Sequence, residues 1–519
     1  MADHLLLSKV KYLFLSSFTW AWGAMVLLLP ITSFPLLAHL MGGIMVAPAS
    51  LLPLGWLVVW FTIFVASKRQ LPAESVPFLA FVSLAFLSSA VAFFREFPTF
   101  KAHHLLETEF SGLITLGVAA AFYLVSAAWL SDSPLQFEQT LRIVNYTGLI
   151  LLAWSGLQAI IIVFFNSHYP KVMVDIQSFF SVRGLFPRRV TGFAFEPSWL
   201  AHQINLFFLP VWMAASAKRF SAHRLRLWKL QVEDILLVGS ILTILLASRI
   251  GTVALLMMVA FLAIRIHLGW FAKIRTRLKK RLNLKFPLLQ FLARVLFFTL
   301  LISFLVLLYL LALFSLLVTM TNFDPRVARL FDLDAIKINF FDPYALFNQL
   351  AFAERYVYWV TGWRIFNDYP LLGVGIGNAG LYFLKYLPSY AWVLVEVMES
   401  VYRLDAVMNI KSFWVRILAE TGLVGFSAFL SWIVVLWQTS RFLETRQERL
   451  MNTLGLAGKL ALIAFVAEGF STDTFALPYL WLILGIVSAA GMIARYNSPA
   501  TDNDLLPFAA HPSSSHFGG

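Results

Sequence analysis

The chain has 519 residues, 60% of them hydrophobic and 13% charged, against about 45–50% apolar and about 25% charged in a soluble domain. A water-soluble globule cannot hide that much apolar surface and a disordered chain would not contain it, which leaves a polytopic membrane protein, in line with a mean hydropathy of +0.78. A net charge of +13 suits anionic lipid or an anionic substrate, and the absence of cysteine excludes disulfides, zinc–thiolate sites, iron–sulfur clusters and thiol nucleophiles.

Crossing about 30 Å of hydrocarbon takes about 20 mostly apolar residues. Such runs fall at roughly 11–33, 46–66, 75–94, 110–130, 141–165, 199–217, 233–248, 250–268, 290–319, 411–437, 455–470 and 475–494. The sequence therefore predicts an all-α, polytopic integral membrane protein with about twelve transmembrane helices. Pro48 and Pro53 interrupt the second run, and Ser248-Arg249-Ile250-Gly251 tightly separates the seventh and eighth. Lys9 and Lys11 lead into a full-length span, so the N-terminus is expected to stay as an anchor. Residues 1–319 would hold nine spans with an external segment at 166–198. A large extracytoplasmic loop at 320–410, with a helix-like stretch from Phe352 to Tyr369, precedes three spans over 411–496. The tail 497–519 lacks periodicity and is expected to be disordered and cytoplasmic.

Short-loop bases cluster at Lys68-Arg69, at Lys218 to Lys229, at Arg265 to Lys285 and at Arg441, Arg446 and Arg449. With twelve spans they share one face with both termini, which the positive-inside rule makes cytoplasmic.

Four patches could carry chemistry, and all fall on or near the opposite face. Arg188-Arg189-Val190-Thr191-Gly192 leads to Glu196-Pro197-Ser198, where Pro197 suits a first helical turn. Here Arg188 or Arg189 could hold a phosphate, with Glu196 as a base or as an arginine's partner; a capped helix entry with interfacial arginines is the plainer alternative. Arg249 sits at a tight turn between apolar helices, where an ionisable residue marks a functional site or snorkels to the headgroups. Arg364 precedes a stretch in which Gly375, Gly377 and Gly380 match G-x-G-x-x-G. No βαβ unit surrounds that stretch, so dinucleotide binding is rejected; a plain turn or a backbone-amide surface for phosphate or sugar remains. In the fourth patch Lys411 opens a span in which Arg416 and Glu420 lie four residues apart on one face and can pair. Lys411 could bind an anion or handle a proton. Charges gathered at one face favour an enzyme acting on a lipid-anchored anionic substrate, whereas a secondary transporter would concentrate polar groups at the midplane.

Together these patches resemble the O-antigen ligase and polymerase superfamily (WaaL/Wzy-type). The matching elements are Arg-x-Thr-Gly-Phe-x-x-Glu-Pro-Ser ending at Ser198, Ser-Arg-x-Gly at 248–251, Trp-x6-Pro-Leu-Leu-Gly-x-Gly at 363–375 and Leu-Ala-Glu-Thr-Gly-Leu-Val-Gly at 418–425, in the family's order. The resemblance implies a GT-C-like, inverting, metal-independent glycosyltransferase of the bacterial inner membrane that needs no cofactor. Its substrate would be an undecaprenyl-diphosphate-linked oligosaccharide and its second substrate a glycan acceptor. Membrane lipids, a chain-length regulator and a flippase are the implied partners, and nucleic acid is not. Arg189 and Arg249 become the leading diphosphate ligands, with Arg188, Arg364 and Arg416 as further candidates. Glu196, Lys411 and Glu420 are the catalytic candidates. Ligases of the family carry His-Asn/Ser, nine residues, then Gly-x-x-Gly; this chain has Lys411-Ser412, nine residues, then Gly422 and Gly425. A lysine is ordinarily a cation and not a base, which favours a polymerase over a ligase, with a transporter as the reading from a different class.

Overall fold

The computed structural model describes residues 2–40, 46–96, 98–281, 287–321, 325–339, 341–349, 352–404 and 407–497. The tail expected beyond Asn497 lies outside these residues. Apart from a hairpin pairing Arg226–Leu227 with Leu230–Gln231, the described regular structure is helical.

Eight of the described helices are long and apolar enough to cross a bilayer: Ser75–Ala92, Leu105–Ser131, Pro134–Phe164, Arg249–Arg277, Val295–Thr321, Phe413–Glu444, Arg449–Glu468 and Pro478–Tyr496. Apolar helical stretches also occupy the other four runs, at Ala2–Leu27, Leu51–Ala66, Val232–Ala247 and a continuous stack of Pro197–Gln203, Ile204–Phe208 and Leu209–Lys218. The protein is an all-α, multi-pass membrane protein, as its composition requires.

Boundaries shift where backbone chemistry outweighs hydropathy. The second run becomes helical at Leu51 and not at 46: Pro48 falls in the turn before it, and Pro53 occupies the first helical turn, where a missing N–H is harmless. The helix from Arg249 continues to Arg281, beyond the apolar limit near 268, because Lys and Arg are good helix formers once outside the hydrocarbon.

Ion pairs join helix ends that the chain order puts on one side. Arg69 meets Asp132 at 2.7 Å, Glu74 meets Arg495, and Glu444 gathers Arg265 at 2.7 Å, Lys218 at 3.6 Å and Lys459. This basic face lies opposite the one carrying segments 166–198 and 320–410, termed here the loop face. Between the faces, helices approach through small residues, since lipid supplies no hydrophobic drive for one helix to leave it for another. A Cβ on Gly485 of the last helix would come within 2.7 Å of Ser126 and 2.9 Å of the Tyr123 carbonyl. Around that crossing Phe78, Tyr123, Trp432 and Trp481 cluster with centroids 4.7–5.9 Å apart, and Tyr123 shares a 2.9 Å hydrogen bond with Ser488.

The described residues from 353 to 410 form a folded body. Val357, Tyr358, Phe383, Val397 and Ile410 form a core of their own with Ala92, Leu105 and Ala419 from the ends of three spans. By contrast the Val295–Thr321 stretch is almost wholly unburied, Met320 being its one buried residue among those described. It leaves an apolar cleft of about 500 Å³ against the Arg249–Arg281 helix, lined by Leu256, Ala260, His267, Ile302 and Tyr309 among others.

Candidate functional site

The first two patches lie side by side. The Val190 N–H donates to the Leu246 carbonyl at 3.1 Å, so the arginine pair at 188–189 runs beside the end of the helix that precedes Arg249. Arg188 is exposed with a left-handed φ of +66°; Arg189 and Arg249 are half-buried. Gln158 holds this turn from below: its Oε1 accepts the backbone N–H groups of Thr191 and Gly192 at 2.9 and 3.0 Å. Glu196 pairs with Arg183, and Arg183 also lies over the Phe195 ring at 4.7 Å. Among the candidates weighed from sequence, Glu196 is therefore found as an arginine's partner, and the arginine is Arg183 in place of Arg188 or Arg189.

The glycine-rich stretch is a run of turns whose amides bond to protein. The N–H groups of Val374 and Gly375 donate to the Ala419 and Glu420 carbonyls at 3.0 and 2.9 Å, and that of Ile376 donates to Ser89 Oγ at 3.2 Å. The Gly377 N–H faces the Glu420 carboxylate. Gly373, Gly375 and Gly377 have φ of +67°, +92° and +85°, values that L-residues rarely adopt. Opposite them the Phe413–Glu444 helix is kinked at Gly422, with φ 63° and ψ −167°, and Leu423 N–H donates to the Pro370 carbonyl at 2.7 Å. The two motifs thus interlock backbone to backbone.

Arg416 and Glu420 do pair, at 3.0 Å, with side chains 14% and 3% exposed. Arg416 also donates to the Asp473 carbonyl and lies over the Phe475 ring. Breaking such a buried pair strands a charge. Arg416→Ala should therefore lower stability by about 3–5 kcal/mol, and adding Glu420→Gln should restore part of it. Thermal midpoints of the two variants in detergent check this.

Residues 468–473, the turn after the Arg449–Glu468 helix, draw the patches together. Glu468 meets His202 at 2.7 Å and Asn205 at 2.5 Å, and Asn205 also donates to the Gly251 carbonyl at 2.9 Å. The Gly469 carbonyl accepts the Phe413 N–H at 2.7 Å and the Ser412 hydroxyl at 3.3 Å. Ser471 offers its carbonyl to Arg355 at 3.1 Å, and Asp473 Oδ2 accepts the Lys411 N–H at 3.1 Å. Lys411 itself has a left-handed φ of +56°, and its ammonium pairs with Glu396 at 3.2 Å. Burial pulls the Arg355 guanidinium below its ordinary value, opposed by Asp473, Glu396, Glu468 and Glu354. Arg364 stands apart: nine residues along from Arg355, about 13 Å by helical rise, it is exposed and donates to the Tyr386 carbonyl at 3.2 Å.

The sequence reading missed His202, Asn205, Arg355 and Asp473 as site residues. His202 and Asn205 carried one usable signal, a polar cluster with Gln203 inside a mostly apolar run and just ahead of Pro210. Among the described residues no group of three or more His, Asp or Glu forms a set able to hold a metal ion.

Residues 235–430 match a family model described as O-antigen ligase (Wzy_C). No curated protein matches the chain.

Proposed function

We propose, with the O-antigen ligase match over residues 235–430 as the premise, that the protein is a bacterial surface-polysaccharide polymerase. It would transfer a glycan from an undecaprenyl-diphosphate carrier to an acceptor sugar hydroxyl on the loop face, taken as the outer face of the inner membrane with both termini cytoplasmic. The acceptor oxygen attacks the anomeric carbon, inverting it, and undecaprenyl diphosphate departs with the bonding electrons. No metal or cofactor takes part in this reading.

The observation that carries it is the meeting of the Arg249 turn, the Lys411 entry and the Arg416 pair at the single turn 468–473. Fixed positive groups at one membrane face suit a lipid-anchored diphosphate, since preorganised charge is strong in a water-poor site. Arg249 also opens a helix, whose N-terminus favours anions. Along that same helix the apolar cleft begins at Leu256, about 10 Å deeper, in keeping with a polyisoprenoid tail hanging below its phosphates. A chain-length regulator and a flippase are the expected partner proteins.

Ligase-type transfer to a lipid or protein acceptor is the second reading, favoured by the description of the matched family. Reconstituted protein given a synthetic undecaprenyl-diphosphate oligosaccharide separates the two. A regular ladder of products is expected; a single transfer to an added acceptor without a ladder would move the assignment to ligase. Movement of the donor across liposomes with no bond formed would overturn both.

A further inference from the structure

At the loop-face end of the bundle three helices bring polar groups into a dry setting. His202 Nδ1 and Glu468 Oε2 are 2.7 Å apart with side chains 3% and 0% exposed. The other Glu468 oxygen accepts from Asn205 at 2.5 Å, and Asn205 is anchored to the Gly251 carbonyl. Both oxygens of the carboxylate are therefore engaged. Among the described residues, His202 Nε2 makes no hydrogen bond.

The backbone around His202 is also unusual. Ile204–Phe208 forms a π-helical turn in which the Leu209 N–H reaches back five residues to the Ile204 carbonyl. Pro210 explains it, since proline cannot donate to the carbonyl four residues earlier and its ring would clash there. Such bulges in α-helices concentrate at functional sites. Here His202 lies two residues before the bulge and Asn205 within it, and both reach Glu468. The two carboxylates first considered as bases, Glu196 and Glu420, each face an arginine instead.

We propose that His202 is the general base of the transfer and that Glu468 orients it; this rests on the glycosyltransferase reading above. An ionised carboxylate can only accept, so Glu468 holds the Nδ1–H and leaves Nε2 with a free lone pair. The acceptor hydroxyl gives its proton to Nε2 as its oxygen bonds to the anomeric carbon. The bond from that carbon to the diphosphate oxygen breaks, its electron pair staying on the diphosphate beside Arg249. The imidazolium then releases its proton to water. The charged and titratable groups facing the pair include Arg355 from the loop body and Tyr479 from the last helix.

The test is steady-state kinetics of the full-length, reconstituted protein with a synthetic undecaprenyl-diphosphate oligosaccharide. For His202→Gln, kcat should fall about 100-fold, while the KM for donor, the binding of undecaprenyl diphosphate and the thermal midpoint stay near wild type. Glu468→Gln keeps an acceptor for Nδ1–H but loses the charge, and should lose about tenfold in kcat. An active wild type with His202→Gln within threefold of it would overturn the base assignment alone. If His202→Gln does not fold, Glu468→Gln at wild-type kcat overturns the assignment. A wild type that forms no glycosidic bond with any lipid-diphosphate donor overturns the transferase reading and this assignment with it.

Discussion

Arg249→Ala should reduce glycan transfer by about 100-fold or more with expression and fold intact. Arg249 opens its helix at the loop face and is half-buried, so a bound diphosphate would meet both the guanidinium fork and the helix N-terminus. Its turn is seated by Gly251, where a Cβ would come within 2.7 Å of Ala201 and 3.3 Å of Asn205. That close approach fixes the turn that carries the arginine. Arg189→Ala should act in the same direction, because the Val190–Leu246 hydrogen bond ties its segment to the end of the Val232–Ala247 helix, just before Arg249. Arg249→Lys should recover part of the activity, keeping the charge but losing the planar two-pronged contact. Turnover of purified variants decides the matter, and near-wild-type rates for both alanine variants would end the diphosphate assignment.

Gly422→Ala should be among the most damaging single-methyl changes in the chain. Its φ of 63° and ψ of −167° fall in a region open essentially to glycine, at a cost of about 1–3 kcal/mol for other residues. The added Cβ would also run into the Leu371 carbonyl group, and in Gly373→Ala the Cβ would run into the Glu420 carbonyl group. Neither neighbour is a flexible side chain that can swing aside. Both variants should lower the thermal midpoint or abolish expression, since they pry the loop body off the Phe413–Glu444 helix. Gly117→Ala is the control: nothing lies within 4 Å of its Cβ, so it should be neutral or slightly stabilising, by up to about 1 kcal/mol. Equal midpoints for Gly117→Ala and Gly422→Ala would refute the interlock.

The glycine-rich stretch shows how far local reading reaches. Its spacing alone matches a dinucleotide fingerprint, and its setting after a loop helix was enough to reject that. Whether its amides faced solvent or protein depended on Ser89, Ala419 and Glu420, which are distant in the chain and carry no mark of the contact. Arg416 and Glu420 were legible as a pair because four residues of helix bring two side chains together whatever else the protein does. Arg364 was indistinguishable from Arg355 on the same helix, yet only Arg355 reaches the 468–473 turn.

What the sequence determined by itself was the class of the molecule, the apolar runs and the order of the four motifs. A bilayer imposes a fixed length and excludes charge, so each run can be read without knowing its neighbours. The meeting of His202 with Glu468, 266 residues apart in the chain, was decided by tertiary structure alone. Helices in lipid pack by the fit of small residues and a few polar contacts, and that fit sets rotation and depth only when the whole bundle is assembled.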